Sequence, residues 1–445
     1  MNGRSRIPIK VLLQYLTLYG ILVAYGAIYE FFYQYQLSPL FHDIFIAYDP
    51  TRAGIYRAII FLTPLAILPL GTKLRAAGQF IAGTMAIIIF IPIPIVFVPF
   101  PSLREFWSVY WTLWIGYFLV CLLSSLDIDL RVSYFSEDRY SRLLRVLYVS
   151  IGLALLYVLA SNRVELVSLS NAHAARHGVT VSGLQGYLIP GYFSSFGGLL
   201  VAVAIRFRRF GLLFLALLGF LICYVTIEER TAAIMPLWLA YVYCTQRFFY
   251  RNSAIRFLLC VMAPFLILVA GATIIGTSHR HSFFYYVFTL ATYRIYSIPA
   301  NAFNVYYNYF QFNPHTYWSH INVVSKFVQN PYGGQSLPHL MNLSYHLGSY
   351  NASFLETDGL AAAGLPAVPW VCGAFGVILL FLNSCMRRLD IGVLALVTAG
   401  SSMALIDTGI GPGLLTNGLV LLALVLSVAP RNSPWARSVT TDNRR

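Results

Sequence analysis

The sequence predicts an all-α, polytopic transmembrane bundle of about 12 spans, with one large periplasmic loop that contains helical segments of its own. Three observations lead there. The chain of 445 residues is 58% hydrophobic and 10% charged, against roughly 25% charged in an average soluble domain. Its apolar residues come in repeated continuous runs, close to the roughly 20 residues that a helix needs to cross a bilayer. Its cations cluster between those runs, the signature of cytoplasmic loops. Barrel strands would show short alternating runs instead. The net charge of +14, placed in this way, points to a lipid bilayer as partner and away from nucleic acid.

Taken in order, the apolar runs cover about 11–32, 55–72, 78–100, 107–126, 146–160, 187–205, 211–227, 231–246, 257–276, 366–385, 391–408 and 414–430. The basic start MNGRSR precedes a run too long for a signal peptide, with no small-residue cleavage site after it. It reads as a retained first span. The stretch IPIPIVFVPFP predicts a kink in the third span, because proline breaks the helical ladder. With the N-terminus in the cytoplasm, the inside segments hold 21 of the 30 Lys and Arg residues. That asymmetry fixes the orientation, with both termini inside. The organisation that follows is 1–276 for spans one to nine, including a short outer loop at about 161–186. Residues 277–365 form the large outer loop, 366–430 the last three spans, and 431–445 a basic cytoplasmic tail.

The six cysteines lie inside or at the ends of apolar runs with no CxxC spacing, so neither a disulfide framework nor a zinc site is expected. No internal repeat is evident, which weighs against transporters built from inverted halves. Candidate buried charges inside spans are few, Glu30 and Asp407, which also weighs against a flippase.

The outer loop is the informative part. It holds six of the nine histidines and a dense aromatic run from Phe283 to Trp318. Such rings suit an interfacial belt or a platform that stacks sugars. Arg176, Arg230 and Arg294 come from three separate places on the same outer face. A single arginine near a span end usually snorkels to headgroups. Three together have the fork geometry and permanent charge that a lipid diphosphate needs. Glu356 and Asp358 are the carboxylates of the loop and His346 a nearby imidazole, so all three are candidate bases. No metal site is expected, since only the HRH pair has close histidines, and no cofactor motif is present.

Four stretches together resemble the bacterial O-antigen polymerase (Wzy-type) family and, more distantly, the O-antigen ligases. They are RHGVTVSGLQG from Arg176, the helix-end EER ending at Arg230, TYRIYSIPANA around Arg294, and YNASFLETDGLAAAGLPAV around Asn351. Ligases place His before the Asn of the last element, and Tyr350 stands there in this chain. The resemblance implies a metal-independent glycosyltransferase. It would move a growing glycan from undecaprenyl diphosphate to the non-reducing end of a new lipid-linked repeat unit. It also implies that Arg176, Arg230 and Arg294 hold diphosphates, with Arg280, Tyr293 and Asn351 as further binding residues. The setting implied is the periplasmic face of a bacterial inner membrane, with undecaprenyl-diphosphate-linked oligosaccharide as substrate. A flippase and a chain-length regulator are the implied protein partners. A ligase-like transferase and a lipid-linked oligosaccharide flippase are the alternatives.

Overall fold

The computed structural model describes residues 9–41, 46–99, 101–128, 135–161, 183–227, 230–249, 253–278, 282–321, 324–346, 354–387 and 389–430. Every regular element among the described residues is a helix, with no β-strand. Among the described residues, nine helices are long and apolar enough to cross a membrane. These are α1 (Ile9–Phe41), α2 (Pro50–Leu70), α3 (Ala77–Phe97), α4 (Leu103–Ser125), α5 (Glu137–Ser161), α6 (Gln185–Arg206), Ala254–Gly276 within α9 (Ala254–Ser278), α14 (Ala367–Met386) and α16 (Ile410–Ser427). Three more apolar runs of the sequence also form helices, α7 (Phe210–Ile227), α8 (Arg230–Phe249) and α15 (Ile391–Asp407). The short helices α12 (Leu337–Tyr345) and α13 (Leu355–Ala363) complete the part that matters for function.

Local chemistry sets the helix ends. Ser102 and Glu105 form a reciprocal capping box at the start of α4, with Ser102 N–H donating to Glu105 at 3.0 Å. Such a box satisfies donors that a helix start leaves open. Asp390 caps α15 by accepting from Gly392 N–H at 2.9 Å. In the bundle interior the work is done by Asn383 of α14. It accepts from Gly78 N–H (2.6 Å) and donates to Ser124 O (2.7 Å) and Leu126 O (2.9 Å). One amide thus closes the start of α3 and the end of α4. The most extensive helix pairing is α4 with α14. Small residues permit it: a Cβ on Gly116 would lie 2.9 Å from Cys372 Sγ, and one on Gly376 2.7 Å from Leu123.

Four helices contain a π-helical turn, at Tyr33–Leu37, Ala86–Phe90, Tyr192–Phe196 and Tyr293–Ser297. A π turn frees a carbonyl from the regular ladder. In three of the four, a hydroxyl from another helix takes it. Tyr25 donates to Ile87 O (2.9 Å), Tyr29 to Tyr296 O (3.3 Å) and Ser401 to Ser194 O (3.1 Å). The turn in α3 falls just before Pro92, where the sequence predicts a kink.

The aromatic run divides in two. Its first part, α10 (Phe283–Thr292), leaves Phe283, Phe284 and Tyr286 exposed, as an interfacial belt would. The second part, α11 (Ile298–Phe310), is core. Phe303 and Tyr306 are fully buried, and Phe97 of α3 packs edge-on against Phe303 (5.3 Å) and Tyr307 (5.0 Å). A sugar-stacking platform needs open ring faces, and α11 does not offer them. Four cysteines are buried, Cys260 is half-buried, and Cys244 is exposed.

Asn383→Leu should cost about 2–4 kcal/mol of stability, since two buried backbone groups, Gly78 N–H and Ser124 O, lose their partner together. Thermal unfolding in detergent reads this out.

Candidate functional site

The carboxylates singled out in the sequence sit on α13, a nine-residue helix buried within the fold. A helix this short has no stability of its own and depends on its ends. At the start, Thr357 accepts from Phe354 N–H (2.7 Å). At the other end, the turn after α11 folds back over α13. Thr316 N–H and its hydroxyl both donate to Ala361 O (2.7 and 3.0 Å), and Tyr317 N–H donates to Ala362 O (2.9 Å). Gly364 then leaves the helix at φ +78°, a region open to glycine. The covering turn holds Tyr317 and Trp318 at positive φ, 47° and 68°. Two successive non-glycine residues there are strained.

That turn delivers His320 to Asp358. The imidazole Nε2 lies 3.8 Å from Asp358 Oδ1, and both side chains are almost sealed from solvent. Asp358 Oδ2 accepts from Ile410 N–H at 2.7 Å. The approach is close enough that a side chain at Gly409 would run into the carboxylate. This charge-assisted bond and the α13 N-terminus both favour the ionised form. His320 Nδ1 lies 2.7 Å from the Thr316 hydroxyl. Because that hydroxyl's proton is directed at Ala361 O, it accepts from Nδ1–H, and Nε2 is left as a bare acceptor. Nε2 is buried with no hydrogen-bond partner. Burial pushes the His320 pKa down to about 4, so the ring is neutral at physiological pH.

Glu356, two residues before Asp358, has a different environment. It is fully buried, and neither carboxyl oxygen has a hydrogen-bond partner. Burial first, and then the charge of Asp358, push its pKa up to about 8. Two carboxyls on one short helix therefore have different surroundings, Asp358 bonded to the Ile410 N–H and Glu356 without a hydrogen-bond partner.

The other expected residues fall elsewhere. His346 is exposed and in left-handed conformation, where it ends α12, with its N–H donating to Asn342 O (2.9 Å). Tyr293 is buried and stacked on Phe41 at 4.3 Å, so its ring is packing. Arg294, beside it in the π turn, is exposed. Arg230 opens α8. Arg176, Arg280 and Asn351 lie outside the described residues. The structure thus brings Glu356, Asp358 and an unexpected partner, His320, together. His320 is one of six histidines in the 277–365 stretch, and only the turn after α11 brings it to Asp358.

Among the described residues, no group of three or more His, Cys, Asp or Glu is placed to hold a metal. A cavity of about 290 Å³ between α5, α6 and α16, lined by residues such as Ile151, Leu155, Tyr192 and Leu421, contains no acid, base or cation. No family model matches the chain, and neither a curated protein nor a solved structure matches it.

The His320 environment has a signed consequence. Its folded pKa lies below the ordinary value of about 6.5, so the unfolded chain binds more protons between about 4 and 6.5. Its contribution is fully present above about 6.5 and is lost as pH falls toward 4, by ~3 kcal/mol at most. His320→Asn should flatten that limb in pH-dependent unfolding.

Proposed function

We propose that this chain is a membrane-embedded glycan polymerase of the bacterial inner membrane. In this reading it has twelve spans, both termini in the cytoplasm, and the segment from about 277 to 365 on the periplasmic side. It transfers a growing glycan from undecaprenyl diphosphate to the non-reducing end of a new lipid-linked repeat unit. The observation that carries the reading is the buried Asp358–His320 pair beneath the Thr316–His320 turn. An ionised carboxylate beside a neutral imidazole, both shielded from water, is a general-base arrangement.

The chemistry assigns one role to each group. The acceptor hydroxyl gives its proton to Asp358 while its oxygen attacks the anomeric carbon of the donor. The carbon–oxygen bond to diphosphate breaks, and the diphosphate leaves with the electron pair. The acceptor hydroxyl would donate its single proton to Asp358 Oδ1 at ordinary hydrogen-bond length, roughly 2.8 Å. Access requires the turn to lift, and the strain at Tyr317 and Trp318 favours that movement. Arg294, with Arg176 and Arg230, is assigned to the diphosphates, where fixed cations stabilise the charge of the leaving group.

A flippase is the second reading, because an unpartnered acid within a bundle of apolar helices is a feature of proton-driven transport. One assay separates the two. Membranes containing the protein are given labelled lipid-linked repeat units, and both chain length and leaflet distribution are read. The polymerase reading expects longer glycans. Leaflet transfer without lengthening would leave only the flippase.

Asp358→Asn should lower polymerisation by roughly 10²–10⁴-fold, the usual worth of a positioned base. Arg294→Lys should also lose most activity, because a point charge cannot replace a bidentate grip. Near-normal polymer from stably inserted Asp358→Asn protein would remove the base from this account.

A further inference from the structure

Glu356 is left over by the chemistry above, and its surroundings give it a separate task. We propose that Glu356 and Tyr117 form a proton-binding site inside the bundle, whose protonated carboxyl seats α13 and whose deprotonation unseats it. The ligand is a proton, exchanged with water. The inference does not depend on whether the protein polymerises glycans or moves them.

Three observations carry it. Glu356 is 0% exposed, with both oxygens buried and without hydrogen bonds. The hydroxyl of Tyr117, on α4, is likewise buried and without a partner. The two groups are near enough that the charge of Glu356 is felt at Tyr117, and at Cys372 of α14. A neutral carboxyl and a phenol, each lacking a partner, carry complementary donors and acceptors.

Little nearby supports the ionised form: the Glu356 N–H at the start of α13 favours it, but burial outweighs that, and the imidazoles of the covering turn, His315 and His320, lie beside Gly364 and Asp358. On α13 itself the neighbouring group is Asp358, which repels a second negative charge. Cys372 of α14 faces Cys121 of α4. The titratable residues of α11 are tyrosines, namely Tyr306, Tyr307 and Tyr309. The sequences of α11, α13 and α14 contain no Lys or Arg, and α4 has only Arg104, more than three turns before Tyr117. A carboxylate in that setting is strongly disfavoured unless it moves toward water.

Proton release therefore has a structural consequence. The carboxyl loses its proton to water, and the resulting anion leaves its buried position for water. Its helix moves with it, and Asp358 is two residues further along that helix. The ionisation falls at about pH 8, so the seat is closed at neutral pH and opens on mild alkalinisation.

Infrared spectroscopy of the purified full-length protein in detergent tests this. The protonated-carboxyl stretch should persist far above the usual carboxylate range and disappear around pH 8. It should be absent in Glu356→Gln and shifted in Tyr117→Phe. Amide exchange of residues 355–363 on the same samples should rise above pH 8, beyond the intrinsic base-catalysed increase. Glu356→Gln, which is neutral at every pH, should keep those amides protected. A wild-type spectrum at neutral pH with no band lost in Glu356→Gln would overturn the proposal. So would identical exchange in the two proteins on both sides of pH 8. Should Glu356→Gln fail to insert, Tyr117→Phe serves alone, and an unmoved carboxyl titration in that variant overturns the pairing. Neither readout uses turnover, so a failed polymerisation assay leaves this result intact.

Discussion

The structure depends on the burial of α13, a helix too short to stand alone, inside a bundle of apolar helices. Its backbone has to be completed by its neighbours, because the interior offers no water. Thr316 and Tyr317 complete its last carbonyls, and Thr357 completes its start. The same requirement explains Asn383 between α3, α4 and α14, and the hydroxyls that reach into the π turns. These polar side chains are placed where the backbone needs them.

Against that background the α13 carboxyls stand out for what they do not do. Asp358 accepts a backbone N–H from Ile410, but Glu356 completes no backbone group and has no partner. A protein that satisfies its buried backbone so thoroughly keeps an unsatisfied acid at a cost, which is a reason to look for function there. His320 extends the same logic. Its Nδ1 is tied to Thr316, while Nε2 is directed at Asp358 with no bond of its own. The capping turn that holds α13 in place is thus also the element that carries the imidazole.

Much of this was legible in the sequence, and the limits have physical causes. Apolar length located the helices, because crossing a bilayer demands a run that composition alone reveals. All twelve runs lie in helices, nine of which meet the length and hydropathy a span requires. The motif around Glu356 and Asp358 was found because few carboxylates occur in the 277–365 stretch. Their opposite environments were not legible, since burial depends on which helices surround α13. The partner His320 was hidden among other histidines, and its approach depends on a turn with two strained residues. The ring of Tyr293 looked available but is spent on Phe41, a contact between residues far apart in sequence. The aromatic run misled for the same reason, since α11 uses its rings as core.

The central claim is that the chain itself, with the Asp358–His320 pair as its base, joins lipid-linked repeat units. The most direct measurement is to incubate purified protein with lipid-linked repeat units, without nucleotide sugar, and resolve the products by size. The account predicts a ladder whose steps equal one repeat unit. Unchanged substrate, from protein that is folded and correctly inserted, would contradict it.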